Sequence, residues 1–196
     1  MSEMLLFNTE ENVIKKEKLE PLPLYGDDFH MLDDEIPEFR DPLPNPQMTT
    51  LISRLKMTMK KFGGLGLSAN QCGVYERVFI LGYGDDIFAC INPKVIEQSE
   101  EVVREKEGCL SYPGMYLSIA RPKWIVVEFL NPSGQIEQKR FEGITARCFL
   151  HELDHMNGIK FEKHAGPVAI RMARQKQQKN IKNFQRKFKN KDSLFF

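Results

Sequence analysis

The chain has 196 residues, 41% of them hydrophobic and 28% charged, which is ordinary for one soluble domain large enough to bury a core. Its net charge of +1 joins two opposite parts: residues 160–196 carry eleven Lys and Arg against two acids, or +9, and residues 1–159 carry −8. No apolar run approaches the roughly 20 residues of a bilayer span, and the acidic start resembles neither a secretory signal nor a transit peptide.

Residues 1–46 are polar and broken by six prolines, which points to loops and short extended pieces wrapping the domain. Asn45-Pro46 matches a helix cap followed by a first-turn proline. Met48, Leu51, Ile52, Leu55, Met59 and Phe62 then recur at helical spacing, and Gly63-Gly64 ends the pattern. Strand signals follow at 77–81, 88–91, 124–130 and 135–141. Asn92-Pro93 is read as the stop of the second, and Asn131-Pro-Ser-Gly134 as the turn of a hairpin joining the last two. A helix is expected over 144–157, with Gly158 at its C-terminal end. Pro167 opens a last, basic helix. The resulting class is α+β: antiparallel β-sheets packed around a central metal-binding helix, with an N-terminal amphipathic helix and a C-terminal basic one. The expected division is a catalytic domain over 1–166 and a basic helix or tail over 167–196.

The sharpest chemical signal is His151-Glu-Leu-Asp-His155. On a helix the two imidazoles share one face a turn apart and can hold one metal ion, with Glu152 beside them to act on water. The flanking Cys148, Phe149, Leu150, Leu153 and Met156 are apolar, so the helix should be buried and its polar groups partnered. Catalytic sites use three protein ligands and an open position. His30 and His164 are poor third ligands. The four cysteines, Cys72, Cys90, Cys109 and Cys148, form no CxxC and read as reduced thiols, which fits a cytoplasmic protein. Two further motifs stand out: Gly64-Leu-Gly-Leu-Ser-Ala-Asn-Gln71 and Glu107-Gly-Cys-Leu-Ser111. Alone, the first is a small-residue loop that lacks the third glycine of a dinucleotide fold, and the second a turn with a buried thiol.

Together, GLGLSANQ, EGCLS and HELDH stand in the order that marks the peptide deformylases, and the chain resembles that family over roughly residues 20–165. Ser68 replaces the first alanine of the family's glycine-rich motif, and Leu150 stands where glutamine is frequent. The resemblance implies that Cys109, His151 and His155 hold one divalent metal, Fe²⁺ foremost, with Zn²⁺, Ni²⁺ or Co²⁺ as substitutes. It implies hydrolysis of the N-formyl group from the initiator methionine of nascent peptides, with release of formate. Glu152 would be the general acid–base, and the Gln71 amide and Leu110 backbone N–H the oxyanion donors. Leu65, Gly66 and Gly108 would contact the peptide, and Ile144 and Cys148 would line the methionine pocket. Glu107 and Arg121 would form a supporting ion pair. Asp154 is assigned to solvent. The basic tail suggests docking on ribosomal RNA, with no membrane partner and a monomeric chain. Two alternatives stand beside this reading. An HExxH zinc peptidase conflicts with a cysteine ligand, and a ribosome- or RNA-binding module with a relic metal site has no need of Glu152 and Gln71.

Overall fold

The computed structural model describes residues 19–188, and the side chains through residue 182. The expectations for residues 1–18 and for the end of the tail lie outside the described residues. Helix α1 spans Pro46–Phe62. The Asn45 side chain caps it, accepting from the backbone N–H of Gln47 at 2.8 Å and of Met48 at 3.1 Å. Met48, Ile52, Leu55 and Met59 turn inward, as their spacing predicts.

The strands are β1 (Gly66–Ser68), β2 (Val78–Tyr83), β3 (Asp86–Gln98), β4 (Val102–Gly108), β5 (Tyr116–Pro122), β6 (Trp124–Leu130) and β7 (Ile136–Glu142). They form an antiparallel five-stranded sheet, order β1-β2-β3-β6-β7, and a separate β4–β5 hairpin. Helix α2 (Gly143–Met156) and helix α3 (Pro167–Phe188) follow. The large sheet is covered on both sides. Val78 and Ile80 of β2 face α1, in one core with Leu55, Met59, Leu67 and Ile91. Phe79 and Leu81 face α2, in a second core with Ile125, Val127, Phe149 and Met156. This double cover explains why β2 reads as a continuous apolar run rather than an alternating one. Phe79 and Phe149 meet edge-to-face at 5.0 Å between ring centroids. A third core joins Cys109, Tyr112, Met115, Leu117 and Ile119 to Phe161 and Ala173. Among the described residues no helix is long and apolar enough to cross a membrane.

The hairpin of β6 and β7 stands in the expected register, Trp124 opposite Glu142 and Leu130 opposite Ile136. One expectation fails, and one hairpin is missed. Asn92-Pro93 does not stop β3, which runs on to Gln98 through a bulge. Asn92 adopts φ 51°, and its side-chain amide bonds both the N–H and the carbonyl of Phe39, so a turn signal is spent on anchoring the lead. The missed hairpin is β4–β5. β4 is mostly charged and exposed, so its sequence carries no apolar alternation to mark it.

Gly158 ends α2 with φ 64°, and a Cβ there would lie 2.6 Å from the Asp33 carbonyl. The lead crosses the helix at this point. Arg77 locks the crossing by donating to the carbonyls of Ile36 and Met156 and to the Asn157 side chain.

Candidate metal centre

Helix α2 carries three stripes. Ala146, Phe149, Leu153 and Met156 pack on the sheet. Arg147, His151 and His155, four residues apart, form a buried polar stripe, and Cys148 and Glu152 form another beside it. The polar stripes face the segment that follows β4. There Cys109 Sγ lies 3.3 Å from His155 Nε2. One ligand atom from each of Cys109, His151 and His155 falls within 4.8 Å of the others, and all three residues are buried. No other such cluster of three occurs among the described residues.

The donor set fits a transition-metal cation. One soft thiolate and two imidazoles in a buried cluster are the ligand types of iron and zinc sites. The tautomer is right as well. His151 Nδ1 sits 3.2 Å from the Glu107 carboxylate, which only accepts, so Nδ1 carries a proton and Nε2 is the nitrogen left for a metal. Burial pulls the ring's pKa down, but Cys109 and Glu107 prevail and hold it well above the ordinary histidine range, so a cation would displace the Nε2 proton. Burial, followed by the neighbouring His151, holds His155 well below the ordinary histidine range, so its ring is neutral as a ligand must be.

Glu107 is the hub of the surroundings. Arg121 grips it with two bonds of 3.0 Å, and Arg147 adds a third of 2.6 Å. Burial pushes its carboxyl up, but the hydrogen bonds from His151 and Arg121 prevail and hold it down to about 2. The expected Glu107–Arg121 pair is therefore present, and buried. Asp154, assigned to solvent by sequence, instead accepts from Arg121 and bonds His164, each at 2.7 Å. Arg147 was missed, although a charged residue one turn before His151 in an apolar helix is a legible signal.

Glu152 is buried, and burial raises its carboxyl to about 7, the His151 charge opposing. Its Oε2 has no hydrogen-bond partner among the described residues, which marks a carboxylate built for a guest. Gly66 makes room for it: a Cβ there would stand 2.5 Å from Glu152 Oε1 and 2.7 Å from Cys148 Sγ. Gln71 sits in a short helical turn, Ala69–Cys72, capped by Ser68. The Ser68 N–H donates to Gln71 Oε1 at 3.0 Å, and the Ser68 hydroxyl lies at the same distance. With its oxygen so held, the Gln71 Nε2 points toward Ser111 Oγ at 3.1 Å and Cys109 Sγ at 3.5 Å. The Ser-x-x-Gln spacing of a capping box was the available signal for Ser68.

A cleft of about 590 Å³ opens over these groups. Leu65, Gly66, Gln71, Glu107, Gly108, Cys109, Leu110, Ile144, Cys148, His151 and Glu152 all line it, as the sequence reading expects of a shared site. Arg121 lies behind it, reaching it through Glu107.

Comparison with known proteins bears on the same residues. The family model described as Polypeptide deformylase matches residues 23–170. The peptide deformylase of Wolbachia pipientis wMel is 36% identical over 154 residues, covering 72% of this chain and 86% of that one. The crystal structure of a peptide deformylase from Legionella pneumophila superposes with a TM-score of 0.77 at 28% identity, over 84% of this chain and 97% of the other. That of Synechococcus elongatus, in complex with actinonin, gives 0.76 at 27% identity, over 83% and 88%.

Proposed function

The chain belongs to the polypeptide deformylase family and removes the N-formyl group from nascent peptides, and on that premise we propose what each part of its site does. The observation that carries the reading is the buried Cys109–His151–His155 cluster with Glu152 and Gln71 beside it in one cleft. Those three residues would hold one divalent cation. When bound, such a cation lowers the pKa of water to about 7 and polarises a carbonyl oxygen. Fe²⁺ is our assignment from the family resemblance, since the ligand types suit zinc as well.

Glu152 accepts the proton of the attacking water and returns it to the leaving amine. The tetrahedral oxyanion takes hydrogen bonds from the Gln71 amide and the Leu110 N–H, both neutral donors fixed before the reaction. Among the described residues β1 pairs with no strand but β2, and Leu65 and Gly66 line the cleft, so an extended peptide would add along that edge. Cys148 and Ile144 flank the methionine side chain, and Gly108 borders the peptide's path. In this reading the enzyme acts as a cytoplasmic monomer, and the exposed basic side chains of α3 meet ribosomal phosphate. Replacing Lys176, Lys179 and Lys182 with Glu should then reduce ribosome co-sedimentation and its salt dependence; unchanged binding would remove the tail from that role.

The test of the main reading is formate release from formyl-Met-Ala-Ser by anaerobically prepared protein, with its metal analysed. Iron at about one per chain and rapid release are expected. No formate with Fe²⁺, Ni²⁺ or Zn²⁺ would sink the reading.

A further inference from the structure

The segment carrying Cys109 is held in an unusual way. β4 and β5 flank it, and β4 offers little apolar surface. Cys109, Leu110, Tyr112, Pro113, Gly114 and Met115 all border the cleft, so the segment sets a metal ligand, an oxyanion donor and a wall of the pocket together. Its own turns are closed by Tyr112 N–H to Cys109 O and Met115 N–H to Tyr112 O, both 3.0 Å.

What lies under it is α3. Ala173 is buried in the same apolar cluster as Cys109, Tyr112 and Met115. Gln177, also buried, donates its amide to the Pro113 carbonyl at 3.0 Å, and Asn180 donates to the Gly114 carbonyl at 3.2 Å. The Arg174 guanidinium lies over the Tyr112 ring, 5.3 Å from its centroid. Arg174 is itself fixed by two bonds to Glu162 and one to Asp27. One face of α3, residues 173, 174, 177 and 180, thus meets the cysteine segment at spacings of one helical turn.

We infer that the first half of α3 is a strut that positions the Cys109–Met115 segment, with Gln177, Asn180 and Arg174 acting as positioning residues for the metal ligand and the Leu110 donor. The inference rests on the proposed metal site and adds a part to it. It also divides the basic helix by face: Ala173, Arg174, Gln177 and Asn180 belong to the catalytic body, and the exposed Lys176, Lys179 and Lys182 stay free to serve a partner. A deletion beginning within the first turns of α3 would therefore disturb the active centre and any docking surface together.

The test compares the full-length enzyme with Gln177→Ala/Asn180→Ala and with a chain ending at Lys182. In amide hydrogen exchange, the double variant should speed exchange in 109–115 while β2 and β3 keep their protection. Its Co²⁺-loaded form should show an altered thiolate-to-cobalt absorption band and release metal to a chelator about tenfold faster, the size found for groups that orient ligands. The chain ending at Lys182 should match the full-length enzyme in all of these. Unchanged exchange in 109–115, or faster exchange spread evenly through β2 and β3, would overturn the inference. Failure of the deformylase reading would show differently, as absence of formate release in the unaltered enzyme.

Discussion

The two sides of the metal centre are built from different materials. The histidine side is a helix whose apolar stripe is pressed on a five-stranded sheet, with Phe149 against Phe79 and Met156 fully buried. The cysteine side is a short connection between two strands, held by side-chain bonds from Arg121, Arg147, Gln71, Gln177 and Asn180 to it or its neighbours. Apolar burial supplies rigidity to one, and directed hydrogen bonds supply it to the other. The first kind of support is worth much in stability. The second is worth little in stability and much in placement.

Six changes can break or sharpen this contrast. Cys109→Ala removes a ligand from the cysteine side; metal content should fall well below one per chain and formate release to background. A fully metallated variant would refute the ligand assignment. Glu152→Ala keeps the ligands and removes the proton carrier, so kcat should drop about 10³-fold with metal content unchanged; an active variant would exclude Glu152 from that role. Gly66→Ala drives a methyl group into Glu152 and Cys148, and kcat should fall about 10²-fold, as expected for an ångström-scale displacement of a reacting group. Phe149→Ala strips the histidine side of its largest apolar contact and should cost about 3–5 kcal/mol in urea unfolding. Gln177→Ala, on the cysteine side, should cost only about 1 kcal/mol in the same measurement. Equal costs would erase the distinction between the two sides. Ser68→Ala is the smallest. It leaves the backbone N–H on Gln71 Oε1 and removes the hydroxyl, for a loss in kcat of about fivefold and an unchanged KM.

The same division separates what was legible from what was not. Helix α1, the β6–β7 hairpin and α2 are marked by apolar periodicity and by caps, because burial against a sheet demands those patterns whatever the rest of the chain does. β4 is not marked, whereas β5 carries an alternation, Leu117 and Ile119 inward and Tyr116 and Ser118 outward, that its short length and unmarked partner obscure. Val103, Arg104, Glu105 and Lys106 form a strand because β5 supplies hydrogen-bond partners, and no local rule requires it. Asn92-Pro93 shows the converse: a strong local turn signal was overridden when the Asn92 side chain found the Phe39 backbone. Asp154 looked solvated because its partners, Arg121 and His164, lie 33 and 10 residues away.

By itself, the sequence marked His151, Glu152 and His155 by their spacing as candidate site residues and fixed the order of the three motifs, while Cys109 and Gln71 entered through the resemblance those motifs carry. Chemistry restricts those positions to a few side chains at short fixed spacings on one turn or one helix face. Tertiary structure alone decided that Arg147 and His151 join Arg121 on Glu107, why Gly66 must lack a side chain, and that the basic helix begins as part of the catalytic body. Those are contacts between distant segments, set by how sheet, helix and loop pack, and no local spacing encodes them.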